Sequence, residues 1–441
     1  MVVMDTLRKD SFDDHFEWLP GKRFENAWST SAWTVPAHGS LFSGKYPSES
    51  SVYAKYQSLT CSSPVLAEVL SEAGYTTRGF SANANISDAF HFTRGFDEFD
   101  HSWRGQRRDE KVLDWGSFIS ETRDRGAMRY LDAIKECIAS DVDTLKSLSL
   151  GIKMKARDLG IEAVAGKDDG ASKALDLVEQ TDFSGDEFLF VNLMEAHAPY
   201  NAPKSYQTVS LDEHPSFDDT IFDGPNEEKE TIEQAYDDCV RYLSDVYQEI
   251  FATLSDEFDY VVTVSDHGEM FGKDGIWDHN YGIYPELTHV PLSIYSGTDT
   301  TEVCEETVSL VDLYQTILDM AGCDSPVDTG RSLMGEISSQ QYLVERHGLR
   351  TSRVEDLENA GHDQEFIDEL DEAFYGVVFE DGSYGWESRG GVQKTGSVDS
   401  TDISNRIDEL RAELEDPDEP VEVDGEIPDD VNNRLEELGY L

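Results

Sequence analysis

The sequence predicts an α/β fold organised around a buried, parallel sheet. Three observations carry that expectation: short apolar runs that end in acids or histidines, a βα alternation along the chain, and a long amphipathic stretch between two of the apolar runs. With 441 residues, 38% of them hydrophobic and 11% aromatic, there is ample material for a large core.

The first run, Val2 to Met4, ends in Asp5-Thr6-Leu7-Arg8, the pattern of a buried strand delivering an acid at its carboxyl end. Ligand sites of open α/β sheets lie at that end. Pro64 to Ala73 carries Val65, Leu66, Val69 and Leu70 at helical spacing with Gly74 behind it, a helix and its cap, and a strand follows at Thr76 to Ser81. From Arg104 to Leu177 charge and helical periodicity increase, so an inserted helical region over the sheet is expected there. Phe188 to Leu193 is the next apolar strand, leading into Glu195-Ala196-His197-Ala198-Pro199-Tyr200. Glu227 to Leu254 aligns Ile232, Tyr236, Leu243, Tyr247 and Ile250 on one helical face. The β-branched run Tyr260 to Val264 then ends in Ser265-Asp266-His267-Gly268-Glu269, and a further helix is expected from Ser309 to Ala321, stopping at Gly322. Beyond Arg331, shorter strands such as Phe374 to Phe379 alternate with turns at Asp381-Gly382 and Gly390-Gly391. The expected division is a main domain over 1–330, with its helical insertion at about 104–177, a small C-terminal α+β subdomain over 331–400, and an acidic linker with a terminal helix over 401–441.

Asp plus Glu number 91 against 35 Lys plus Arg, a net charge of −56, which excludes a nucleic-acid binder working through a basic surface. The apolar fraction argues against disorder, so the charge reads as a folded surface resembling that of extremely halophilic proteins. At about 1 M salt the Debye length is about 3 Å, and such a surface no longer repels itself. Five scattered cysteines without a CxxC pair suit a reducing cytoplasm. No stretch approaches the roughly 20 apolar residues of a membrane span. A cytoplasmic location is expected unless an upstream start hides a signal, since Val2 to Met4 looks like the tail of a longer strand.

Three strand ends thus present Asp5, His197 and the Asp266-His267 pair, a convergent oxygen and nitrogen set of the kind that binds a divalent metal. Singly, each is an ordinary cap or turn former; their common placement behind apolar strands sets them apart.

The segment Ser31-Ala32-Trp33-Thr34-Val35-Pro36-Ala37-His38-Gly39-Ser40-Leu41-Phe42-Ser43-Gly44-Lys45-Tyr46-Pro47 resembles the nucleophile segment of the sulfatase branch of the alkaline phosphatase superfamily. The resemblance continues through Asp5-Thr6-Leu7-Arg8, Ser81-Ala82-Asn83, Arg94-Gly95-Phe96-Asp97, Ala196-His197-Ala198-Pro199-Tyr200, Ser265 to Gly272, Trp277-Asp278-His279, His289-Val290-Pro291-Leu292 and Gly330-Arg331-Ser332-Leu333, in the family's order. It implies an alkaline-phosphatase-like central sheet, mixed but mostly parallel and flanked by helices, and one divalent metal held by Asp5, Thr34, Asp266 and His267. Hard oxygens with one imidazole suit Mn²⁺, Zn²⁺, Mg²⁺ or Ca²⁺. One ion is expected because no further acid accompanies His197, His279 and His289.

Thr34 stands at the nucleophile position, where formylglycine sulfatases need Cys or Ser. Threonine cannot become that aldehyde, so no formylglycine is expected, and the resemblance shifts toward phosphate and phosphonate esters opened through a covalent Thr34 intermediate. His197 and His279 are then the expected proton donors and anion binders, with His38 and Asn83 on the substrate side. The substrate is expected to be a small anionic ester or one derived from a glycan or lipid. Alternatives are a true sulfuric ester hydrolase, a phospho-alcohol transferase of the same ancestry, and a silent binding protein; the oligomeric state is not legible.

Overall fold

The computed structural model describes residues 1–103, 135, 137, 170–211, 214–221, 224–298, 300–396, 398–418 and 427–437. The chain divides into two compact units, 1–103 with 169–441, and 104–168. The sheets and the site both belong to the first. Apart from Lys135, Cys137 and 170–177, the expected helical insertion lies outside the described residues.

Eight strands form the central sheet: β1 (Val2–Met4), β2 (Gly21–Trp28), β3 (Thr76–Ser81), β4 (Glu98–His101), β5 (Glu187–Leu193), β6 (Val261–Val264) and, beyond the hairpin of β7 (Phe271–Lys273) and β8 (Ile276–Trp277), β9 (Leu292–Tyr295) and β10 (Thr301–Ser309). Their order is β10-β2-β9-β6-β1-β5-β3-β4. Only β9 runs against its neighbours, β2 and β6; the other pairings are parallel. β1 lies between β5 and β6, with Val2 opposite Val191 and Thr263. That register brings the residues following β1 and β6 out at one edge of the sheet. β1 and β6 are buried along their whole length, as strands covered on both faces must be.

The 29-residue helix Lys229–Glu257 buries Ile232, Tyr236, Leu243, Tyr247 and Ile250 against this sheet core, and runs one turn further than its apolar stripe predicts. Each such side chain contributes roughly 1.5–3 kcal/mol when fully buried. Thr34–Ser43 is instead buried on every side, which explains its lack of amphipathic pattern. It ends at Gly44, whose φ of 68° is left-handed and whose Cβ, if present, would lie 2.8 Å from the Tyr314 ring.

Two expectations shift at their edges. Ser309 closes β10, and the helix begins only at Asp312, whose carboxylate accepts the Ser309 N–H. Residues 400–413, expected within a linker, form a 14-residue helix started by the Asp399 side chain. Ile403 and Ile407 bury it against the antiparallel sheet β11 (Tyr342–His347), β12 (Ala373–Val378), β13 (Tyr384–Trp386) and β14 (Gln393–Lys394). Two well-spaced isoleucines suffice to seat a helix that otherwise reads as acidic and polar.

Candidate active site and metal centre

Asp5 leaves β1 and Asp266 and His267 leave β6, so adjacent parallel strands deliver three ligand-competent side chains to one point. All three are buried, and their ligand atoms lie within 4.8 Å of one another. Thr34, the first residue of its helix, adds a hydroxyl 3.4 Å from Asp5 Oδ1 and 3.2 Å from His267 Nε2. The four side chains that sequence reasoning assembled therefore form one cluster around His267, which lies within 3.6 Å of the other three.

The backbone is held to this geometry at a cost. Thr6 has φ 58°, a left-handed conformation that a β-branched residue adopts only under constraint. Its N–H donates to Asp266 Oδ1 at 3.3 Å, its hydroxyl to the Asp5 carbonyl at 2.7 Å, and its carbonyl accepts from Tyr236 at 2.9 Å. Gly268 is required for a different reason: a Cβ there would sit 2.1 Å from the Glu286 carbonyl oxygen.

Hydrogen bonds set the state of each ligand. His267 Nδ1 donates to the Gly268 carbonyl at 2.9 Å, which leaves the Nε2 lone pair facing Thr34, Asp5 and Asp266. Burial lowers the pKa of this imidazole, while the Asp266 and Asp5 carboxylates pull it the other way. Burial opposes the Asp266 charge, but His267 and His38 outweigh it and hold the carboxyl below its usual range. Among the described residues Asp266 Oδ2 nevertheless has no hydrogen-bond donor in bonding geometry, although it is fully buried. An orphaned carboxylate oxygen beside a neutral imidazole lone pair, a second buried acid and a hydroxyl is a donor set that fits a divalent cation.

His38 and Asn83 occupy the layer behind these groups. His38 Nδ1 donates to the Thr34 carbonyl at 3.0 Å and lies 3.4 Å from Asp266 Oδ2, while Nε2 is 3.4 Å from Asn192 Nδ2. Asn83 donates to Asp5 Oδ2 at 2.8 Å. Both were expected at the substrate; in this geometry their bonds go to the nucleophile segment and to the two acids.

His279 joins the cluster to open space. Its ring lies 4.7 Å from that of His267 and 5.0 Å from that of His197, and both His197 and His279 line a cleft of about 960 Å³. Thr34 adjoins Trp33 on the cleft wall. His279 Nδ1 contacts Asp278 Oδ1 at 2.9 Å and Glu269 Oε1 at 3.2 Å. Burial alone would lower this imidazole's pKa, but the two carboxylates raise it well above the ordinary value. Nδ1 is thereby committed, and Nε2, buried, has no hydrogen-bond partner among the described residues. His197 Nδ1 is bonded to the Ala198 carbonyl at 2.5 Å. His289 lies elsewhere, stacked on Trp28 and bonded to the Glu25 carbonyl at 2.7 Å.

Sequence reasoning found no acids to accompany the cleft histidines; the structure supplies Glu269 and Asp278, and Tyr200 donates to Glu269 Oε2 at 2.9 Å. A faint signal existed in Trp277-Asp278-His279, where Asp278 takes φ 64° to aim its carboxylate back at its neighbour. Asn192 was legible too, as the one polar residue in the apolar run after Glu187 opens the strand.

A family model described as Sulfatase matches residues 15–323. The chain is 21% identical over 360 residues to the uncharacterized sulfatase YidJ of Escherichia coli (strain K12), covering 74% of this chain and 66% of that protein. It is 24% identical over 332 residues to the choline-sulfatase of Rhizobium meliloti (strain 1021), covering 68% and 60%. It thus spans less than two thirds of the length of each of these relatives. Among solved structures its fold is similar to that of the phosphonate monoester hydrolase SpPMH from Silicibacter pomeroyi, with a TM-score of 0.58 at 17% identity over 93% of this chain and 94% of that one.

Proposed function

The chain belongs to the sulfatase family, and from that premise we propose that it is a metal-dependent hydrolase of small anionic phosphate, phosphonate or sulfate esters that works through Thr34. The observation that carries this reading is the Thr34 hydroxyl meeting Asp5 and His267 at the start of a buried helix, beside a cleft lined by His197 and His279. Phosphonate and sulfate esters are the substrates named for similar proteins, and no described helix is long and apolar enough to cross a membrane.

Asp5, Asp266, His267 and the Thr34 hydroxyl would hold one divalent cation, Mn²⁺ or Zn²⁺ by the imidazole among the ligands. When bound it lowers the pKa of the hydroxyl and offsets the substrate's charge. Thr34 Oγ then forms a bond to phosphorus or sulfur while the bond to the leaving oxygen breaks, the hydroxyl proton going to water. His279 gives its Nε2 proton to the leaving alkoxide, a role its unpartnered Nε2 suits. Water attacks the threonyl ester, the Thr34 O–P or O–S bond breaks, and the hydroxyl returns. His38 and Asn83 are positioning residues, holding Asp266 and Asp5. No formylglycine is involved, since Thr34 cannot form one.

Residues 1–330 supply this chemistry, and 331–400 the wall that reads the substrate. The acidic surface suits molar salt, and the buried thiols of Cys61, Cys239 and Cys304 suit a reducing cytoplasm. The test is Thr34→Ala: turnover of aryl phosphodiesters, phosphonates and sulfates should fall by at least about a thousandfold. Undiminished rates on all three would remove Thr34 from the mechanism.

A further inference from the structure

Arg346, in β11, is 3% exposed and lines the same cleft as His197 and His279. Of a guanidinium's five N–H groups, two donate to backbone carbonyls, of Glu372 at 2.6 Å and Leu370 at 3.1 Å. Its flat faces lie over aromatic rings, 4.8 Å from the centroid of Tyr281 and 5.5 Å from that of Phe374. Among the described residues no carboxylate is ion-paired with it; the Asp371 and Glu372 charges act on it from beyond ion-pair distance, and Asp371 is taken by Lys55 at 2.6 Å. A buried charge is ordinarily paired, because removing it from water is costly. Burial brings the group down to about 10, so it stays cationic at neutral pH.

This is an unusual use of charge in a chain of net −56. The rim of the cleft is mixed: Arg353 is engaged with Asp218, and Asp219 and Asp356 also line it. The buried wall is cationic. Backbone carbonyls hold Nη1 and Nη2 by one N–H each, which leaves three of the five N–H groups without a bond among the described residues, a receptor for a planar or tetrahedral anion.

We infer that Arg346 is the anchor of an anion subsite in the cleft, so that the preferred substrates carry a second anionic group, carboxylate, sulfate or phosphate, apart from the ester that is cleaved. This rests on the proposed function for the location of the reacting ester. It gives Arg346 a directly paired counter-ion, which no described carboxylate provides.

The probes are benzenesulfonate and benzene-1,3-disulfonate, titrated calorimetrically into the Mn²⁺-treated full chain. The disulfonate should bind at least about tenfold more tightly, the worth of one charge-assisted fork. Arg346→Met should remove that preference, weakening the disulfonate about tenfold or more and the monosulfonate less than about threefold. Arg346→Lys, which keeps the charge without the fork, should recover part of it, and it carries the comparison if the methionine variant does not fold. Equal binding of both probes to the unaltered protein, or an equal loss for both in the variants, overturns the subsite. The two readings fail separately: a disulfonate preference alongside full turnover in Thr34→Ala keeps the subsite and refutes the mechanism, and a dead Thr34→Ala with no preference does the reverse.

Discussion

Asp266→Asn isolates the proposed metal centre, because the change is isosteric and removes one charge from a carboxylate whose Oδ2 accepts no hydrogen bond among the described residues. A ligand present at a hundredfold its dissociation constant stabilises the folded state by about 2.7 kcal/mol. Unfolding entropy of about 2.1 cal/mol/K per residue gives roughly 0.9 kcal/mol/K for a chain of 441 residues, so saturating Mn²⁺ should raise the melting temperature by about 3 °C. Losing a direct ligand weakens binding by at least about a hundredfold, which at the same Mn²⁺ concentration leaves about 0.4 kcal/mol, or about half a degree. The assay is thermal unfolding of chelator-treated protein with and without Mn²⁺ at constant ionic strength, for the unaltered chain and Asp266→Asn in parallel. The acidic surface collects divalent ions in both proteins, so the difference between the two shifts is the quantity that counts. Equal shifts would refute the assignment of Asp266, and with it the four-residue centre.

Further outcomes follow from the same geometry. Asp278→Asn should move the alkaline limb of the activity profile to lower pH, because Asp278 and Glu269 raise the His279 pKa against burial; a limb that stays in place would detach His279 from proton donation. The stability linked to His279 has the corresponding sign: its folded value is raised, so the contribution is complete below its unfolded pKa near 6.5 and is lost as pH rises through the folded value. Urea titrations at several pH values should show Asp278→Asn costing most at the acidic end. Gly268→Ala forces a Cβ against the Glu286 carbonyl and should cost about 1–3 kcal/mol in urea melts while abolishing the Mn²⁺ shift; an intact shift would show that the loop gives way without moving His267. Molar KCl should raise the melting temperature relative to dilute buffer, since it screens the self-repulsion of 91 acids against 35 basic residues. An unchanged melt would sink the halophilic reading.

Strands β1, β5 and β6 were legible in sequence because each is a short, largely apolar run bounded by polar residues, a local pattern that burial on both faces enforces, whereas β3 was legible only from the helix and glycine cap before it. That Asp5, Asp266 and His267 would converge was legible for a related reason, since each follows a strand end and parallel strands point all their carboxyl ends one way, while Thr34 joined them through the family resemblance. The helix over 400–413 was not, since only Ile403 and Ile407 mark its buried side.

What tertiary structure alone decided is the company each side chain keeps. Nothing local to His38 says that its ring, bonded within its own helix to the Thr34 carbonyl, also faces Asp266 and Asn192, which come from two other stretches of chain. The β7–β8 hairpin turns His279 back onto Glu269, so its protonation depends on a contact across ten residues. Arg346 reaches the cleft from the second sheet, far along the chain from the histidines it joins. Periodicity encodes which residues are buried; partners, and hence charge state and hydrogen bonding, depend on distances in space that sequence spacing does not contain.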